Sequence, residues 1–283
     1  MAALSGYPSG ETGLATEELE IELLLEALFQ RYGFDYRDYD RQAIRRRLYA
    51  LMRARGLATV SRLQDRVLHE PGASDALLRA LAVPPATLFD DPEQARQLRI
   101  VLASCLRASA VPKIWLAECG GAEEAWSLAI MLAEEQLHTR TDIYATAANE
   151  QMLDEARNAR ISLERMEQCK ENYRASGGTG NLDDYFEIED GHAVLASSLR
   201  NRINWAQYNL VTDASFNEFQ LIVCRRALPD FGPVLRRRVL RLFHESLARF
   251  GVLGIDREFD EGDAFGENYQ AVFSHQGWYK RVA

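Results

Sequence analysis

The chain has 283 residues, 47% of them hydrophobic, and a formal net charge of −9. That size and apolar content allow a small domain joined to a larger one and exclude global disorder. The acidic balance argues against a general nucleic-acid binder, which needs a basic surface for phosphates. No apolar run approaches the ~20 residues of a membrane span and no signal peptide is visible, so a cytoplasmic protein without membrane insertion is expected.

Residues 1–15, small, polar and glycine-containing, are expected to form a flexible leader. From Glu17 to Phe29 apolar residues recur at helical spacing, and a second helix is expected from about Arg41 to Arg55. On that second helix Ile44, Leu48 and Leu51 share one face, while Arg46 and Arg53 lie opposite. Helical patterns at Val60–His69 and Ser74–Leu81 complete an all-helical unit over 16–82, locally basic through Arg45, Arg46, Arg47, Arg53 and Arg55. Val83-Pro84-Pro85 opens a stiff linker, placed at 83–92.

The pattern then changes. A helix at about Glu93–Ala108 precedes the apolar run Lys113–Ala117, read as a buried strand, and Gly120-Gly121 leads into a helix at Glu123–Gln136. A strand at Asp142–Thr146 and a helix at Glu150–Ala159 follow. Strand, glycine turn, helix, strand and helix begin a doubly wound α/β sheet, expected to occupy 93–283. Further on come a strand at Phe219–Cys224, a helix at Pro233–Phe250, a strand at Gly251–Ile255 and two closing strands, Gln270–Ser274 and Gly277–Val282. Within a polar stretch at about 172–198, Phe186–Ile188 and Ala193–Leu195 flank Glu189-Asp190-Gly191, the signature of an inserted hairpin. Cys105, Cys119, Cys169 and Cys224 show no C-x-x-C pairing and no histidine at ligand spacing, so they read as reduced thiols without a metal. No histidine has the partners of a catalytic triad. Trp115 and Trp126 read as core.

A glycine turn between strand and helix lets backbone approach a ligand, and the helix N-terminus favours negative charge there, although many such turns are only tight connections. The residues around it go further. Trp115 to Ala129, W-L-A-E-C-G-G-A-E-E-A-W-S-L-A, resembles the segment W-S-A-x-x-S-x-G-E-E-P-Y-S-I-A of the CheR family of chemoreceptor methyltransferases. Ile143–Thr146 with Met152–Arg157, then Asn209-Leu210, then Phe219–Arg225 resemble later blocks of the family in the same order, and the likeness spans about residues 20–282. It implies an S-adenosylmethionine-dependent methyltransferase domain, Rossmann-like with a small antiparallel insertion, preceded by an all-helical N-terminal domain. It also implies methylation of glutamate side chains on a chemoreceptor-like protein. Gly120, Gly121, Glu124, Asn209, Leu210 and Arg225 stand where family residues contact the donor. The basic helix with Arg46, Arg47 and Arg53 resembles the one that meets acidic receptor helices, and a solvated charged face accounts for it equally well.

Other positions depart from the family pattern. Its N-x-T-x-F-F-R segment reads here Pro84-Pro85-Ala86-Thr87-Leu88-Phe89-Asp90, so asparagine, threonine and arginine become Pro84, Ala86 and Asp90. The acid expected after the second strand is Ala147, and the following acid of the pattern is Asn149. The asparagine after Arg225 is Arg226, and an aromatic four residues on is Asp230. An aspartate in place of arginine repels a substrate carboxylate, and a lost charged hydrogen bond to the ribose costs on the order of 1.5–3 kcal/mol. The expectation is a regulatory protein that binds a partner or ligand without turnover, with S-adenosylmethionine or S-adenosylhomocysteine held weakly or not at all. The alternative is an active but divergent protein-glutamate O-methyltransferase. Two lesser expectations concern charge. Asp90, Arg225, Arg226 and Asp230 form a cluster if they converge, and Arg225, Arg226 and the Arg236–Arg238 run could suit a small nucleotide.

Overall fold

The computed structural model describes residues 11–256, 258–259, 263 and 265–282. It divides into two compact units. One runs to Ala82 and includes Pro229–Arg236; the other comprises Val83–Leu228 and the residues from Arg237 onward.

The first unit is built on four helices: α1 (Glu11–Tyr32), α2 (Arg41–Arg55), α3 (Val60–His69) and α4 (Ala73–Leu81). Residues 11–15, expected in the leader, are therefore helical, because a helix anchored by a packed face propagates beyond it; residues 1–10 lie outside the described residues. Ile21, Leu24, Leu25 and Leu28 of α1 meet Ile44, Leu48 and Met52 of α2 and Val67 and Leu77 of the shorter helices in one core. Local chemistry fixes the ends. The Asp40 carboxylate accepts from the Ala43 N–H at 2.8 Å, and Gly56 closes α2 in the left-handed conformation at φ 63°. Tyr39 packs edge-on against Phe231, and the Asp40 N–H donates to the Asp230 carbonyl at 2.7 Å, which draws the 229–236 segment into this unit.

The second unit carries a seven-stranded sheet in the order β6-β2-β1-β7-β8-β10-β9. In chain order its elements are α5 (Pro92–Cys105), β1 (Lys113–Leu116), α6 (Ala122–Glu134), β2 (Asp142–Ala147), α7 (Glu150–Arg157), β3 (Ile161–Ser162), α8 (Leu163–Ala175), β4 (Phe186–Glu189), β5 (His192–Leu195), α9 (Ser197–Arg200), β6 (Ile203–Gln207), β7 (Phe219–Cys224), α10 (Pro233–Ser246), β8 (Leu247–Ile255), β9 (Tyr269–Ala271) and β10 (Trp278–Arg281). The pairings are parallel except at β10, which runs antiparallel to both neighbours. This is the expected doubly wound arrangement. β1 is central, with Ile114, Trp115 and Leu116 almost wholly buried, and α6 is apolar nearly all round because it packs in the interior.

Two expectations need correction. The helix after Cys224 ends at Ser246 rather than Phe250, and Leu247 to Phe250 already belong to β8. Pairing decides this: Leu247 faces Phe219, then an irregularity brings Val252 opposite Leu221, so the intervening residues bulge from the strand. The inserted hairpin is β4 and β5, but a third strand joins it, with Ile161 opposite Ala193. Two residues are too short a run to carry a period. α8, and β6 at the sheet edge, likewise lie in stretches where polar residues hide the pattern.

Candidate active site

β1, β2 and β6 are laid down in one direction and β7 starts on the other side of β1. The crevice outside the carboxyl ends of β1 and β7 is the switch point of such a sheet, where ligands bind. The chain leaves β1 through Glu118, at φ 51°, and Gly121, at φ 109°, before entering α6. A left-handed conformation is ordinary for glycine and costly for glutamate. The Glu118 carboxyl makes no hydrogen bond among the described residues, and burial pushes it up to about 8. By surface area the side chain is only half-buried, so solvent still reaches it.

Gly120 is enclosed by its own chain. Its N–H donates to Glu124 Oε2 at 2.6 Å and its carbonyl accepts from the Ala86 N–H at 2.8 Å. A Cβ on Gly120 would stand 3.0 Å from Glu124 Oε2 and 3.2 Å from both Ala86 N and Pro84 O. The segment Pro84–Asp90 is thus laid directly on the glycine turn. Glu123 Oε2 accepts from the Leu88 N–H at 2.9 Å, while both Glu123 oxygens take a fork from Arg165 at 2.9 and 2.8 Å. Ser127 Oγ accepts from the Phe89 N–H at 3.0 Å, and Phe89 sits at φ 53°. Burial raises the Glu124 carboxyl, opposed by the Gly120 N–H and by Arg226. The Cys119 thiol beside it is pushed well above its usual value, mainly by burial, and is not a reactive thiolate.

Asp90 and Arg226 do converge: Arg226 Nη2 donates to Asp90 Oδ2 at 2.7 Å and to Oδ1 at 2.9 Å. The other two members of the expected cluster go elsewhere. Arg225 lies 5.2 Å over the Trp278 ring, donates to the Gln276 carbonyl at 3.0 Å, and is lowered by its burial. Asp230 accepts from Arg47 within the helical unit, and burial raises its carboxyl against the pull of Arg47 and Arg46. Arg225 and Arg226 are held by different partners, Gln276 and Asp90, so they form no single anion cradle and the nucleotide reading gains no support. Arg47 also donates to the Leu81 and Ala82 carbonyls at the end of α4. Its guanidinium is therefore committed, and it leaves Arg46, Arg53 and Arg55 as the exposed cations of that helix.

A cavity of about 60 Å³ opens here, lined by Leu98, Leu116, Leu128, Met131 and Val223, with Glu124, Asp90 and Arg226 on its polar side. Pockets for nucleoside-sized ligands are several times larger, ~300 Å³ or more. At the end of β2, Ala147 is buried and offers its carbonyl to the Tyr208 N–H. Asn149 caps α7, its side chain accepting from the Gln151 N–H at 2.9 Å. Asn209 is held in a local turn, Oδ1 accepting from the Val211 N–H at 2.9 Å, and Leu210 is buried. Gly120 is thus covered, Gly121 has open space where a Cβ would stand, and β2 ends without a carboxylate for a ribose. Sequence reasoning overlooked Glu118, Glu123 and Ser127. Glu123 and Ser127, one turn apart on α6, were readable as candidates to hold a preceding loop; the left-handed Glu118 left no local signal.

Models of two families match the chain, the CheR methyltransferase all-alpha domain over residues 19–82 and the CheR methyltransferase SAM binding domain over residues 87–258. The "Putative methyltransferase Cher3" of Pseudomonas putida is 37% identical over 93% of this chain and 97% of its own length. A chemotaxis protein methyltransferase of Salmonella typhimurium is 24% identical over 88% and 89%, and one of Listeria innocua 33% identical over 50% and 52%. The helical unit, the sheet with its single antiparallel strand and the turn after β1 agree with these likenesses: the chain belongs to the CheR methyltransferase family.

Proposed function

We propose that this protein is a regulatory member of its family, one that binds a protein partner in a chemosensory-type signalling system without methylating it. The observation that carries the reading is the cover that the Pro84–Asp90 segment lays over Gly120. Gly120, the amides of Ala86, Leu88 and Phe89, and the charges of Asp90 and Arg226 all find partners within the chain. An arginine at position 90 would attract an acceptor carboxylate; Asp90 instead neutralises Arg226. The partner class follows from relatives named chemotaxis protein methyltransferases and from the exposed Arg46 and Arg53 on α2, which suit an acidic helical surface.

The alternative, an active divergent protein-glutamate O-methyltransferase, draws on one observation: Gly121 and Glu124 keep an intact strand–turn–helix at the switch point. Calorimetric titration with S-adenosylhomocysteine separates the two. The regulatory reading expects no binding below millimolar concentration. Methyl transfer to a receptor fragment that Glu124→Ala abolishes would overturn it.

A further inference from the structure

A second cavity, about 550 Å³ in volume, lies at the β9 edge of the sheet and is large enough for a small organic ligand. It shares no lining residue with the crevice beyond β1 and β7. α5 is fastened over this side of the sheet by the Trp278 indole, which donates to Gln97, but the helix ends at Cys105 and leaves Gln270, Ala271 and Val272 exposed. Val252 of β8 and Val272 beyond β9 line the cavity from the sheet, and Cys105 and Ala108 line it from the end of α5. Burial pushes the Cys105 thiol up to about 12, so it is an apolar wall and not a nucleophile. Phe250 completes the lining from the bulge in β8, 54% exposed and at φ 65°, a conformation that a bulky aromatic residue rarely adopts.

The polar groups of the cavity are matched to an anion. Lys280 and Gln270 are partners in the β9–β10 ladder, so their side chains stand side by side on one face, and both line this space. Among the described residues the Lys280 ammonium pairs with no carboxylate; its neighbour is the Phe250 ring, 5.8 Å away. Arg249 lies 5.1 Å from the same ring and likewise pairs with no carboxylate. Two cations without counter-ions thus flank one apolar cavity, in a chain whose net charge is −9. We propose that this cavity binds a small amphiphilic monocarboxylate, its carboxylate held by Lys280 and Gln270 and its apolar body lying against Val252, Val272 and Cys105. An uncharged ligand would leave the Lys280 charge unanswered, and a cation would be repelled by it. The assignment does not depend on whether the crevice beyond β1 is active.

Decanoate, kept below its aggregation concentration, is the probe, and the methyl signals of Ala108, Val252, Ala271 and Val272 in the full chain are the readout. Decylammonium is the control: it keeps the ten-carbon chain and reverses the head charge, and the acidic protein would favour it if adsorption were unspecific. Decanoate is expected to move these methyls with a Kd of about 1 mM or tighter, the range set by the size of the ligand. Decylammonium should bind there about 10-fold more weakly. Lys280→Gln is expected to weaken decanoate about 5- to 20-fold without weakening decylammonium. Ala108→Trp, which fills the cavity from its wall, should abolish the response to both. Both substitutions fall on exposed residues, so the fold tolerates them and neither test rests on the other. Equal binding of the two probes, or a decanoate affinity unchanged in Lys280→Gln, would overturn the anion site. Still methyls at millimolar decanoate, or a response that survives Ala108→Trp, would overturn the cavity as the place of binding.

Discussion

Glu118 offers the sharpest test of the crevice's electrostatics. Its carboxyl sits at the end of the central strand, in a left-handed backbone, without a hydrogen bond among the described residues, and desolvation pushes it up to about 8. In the unfolded chain it titrates near 4.5. Between those values the folded state holds a proton that the unfolded state has released, so stability is full below pH 4.5 and is lost as pH rises through 8. The full interval corresponds to roughly 5 kcal/mol at 1.36 kcal/mol per pH unit. Solvent reaches part of the side chain, so about 2 kcal/mol is the working figure. Glu118→Gln removes the ionisation and keeps the shape. The variant should match the wild type near pH 5 and exceed it by about 2 kcal/mol near pH 8.5, as measured by urea denaturation. Tryptophan fluorescence is the right probe, because Trp115, Trp126, Trp205 and Trp278 all belong to the α/β unit. A gap that stays constant from pH 5 to 8.5 would refute the assignment of Glu118 as a desolvated acid.

Three further outcomes can be checked in the same way. Gly254→Ala would place a Cβ 2.4 Å from the Trp278 ring and dislodge the indole from its 2.9 Å bond to Gln97; a loss of about 2–3 kcal/mol is expected by the same fluorescence titration. Asp230→Ala would leave the half-buried Arg47 without its carboxylate and cost the helical unit about 1–3 kcal/mol, followed by far-ultraviolet circular dichroism. A double-mutant cycle of Asp90→Ala and Arg226→Ala should return a coupling of about 0.5–1.5 kcal/mol, and a coupling of zero would mean the two charges neighbour each other without interacting.

How much of this was legible depended on how far each feature is determined locally. The parallel strands could be read because Ile114, Trp115 and Leu116, or Leu221, Ile222 and Val223, are buried on both faces and show as apolar runs. The helical unit was legible because α2 and α3 carry a clear apolar stripe. The end of α10 was not. Leu247-Ala248-Arg249-Phe250 suits a helix as well as a strand, and only pairing with β7 decides between them. At the site, the exchange of arginine for Asp90 and of asparagine for Arg226 was visible one residue at a time. Their union is a long-range fact, 136 residues apart in sequence, that no periodicity encodes. Arg47 misled for the same reason: its composition suggested a docking cation, but the open carbonyls at the end of α4 and the Asp230 carboxylate claim it first.

The polar groups around Gly120 also bear on what a ligand would meet at this turn. A ligand entering an open, hydrated crevice exchanges water for its own hydrogen bonds, at little net cost. Here it would have to take Gly120 from Glu124 and Ala86, the Leu88 amide from Glu123 and the Arg226 guanidinium from Asp90. Each exchange trades a formed intrachain bond for a ligand bond of similar strength, so the gain that would drive binding largely cancels, and the ordering entropy of the ligand remains unopposed. None of this requires a change in β1, α6 or β7. One side of these contacts lies on the turn after β1, on α6 and just past β7; the other lies in seven positions, Pro84 to Asp90. A family fold can therefore keep its sheet intact while the side chains of the segment ahead of α5 change.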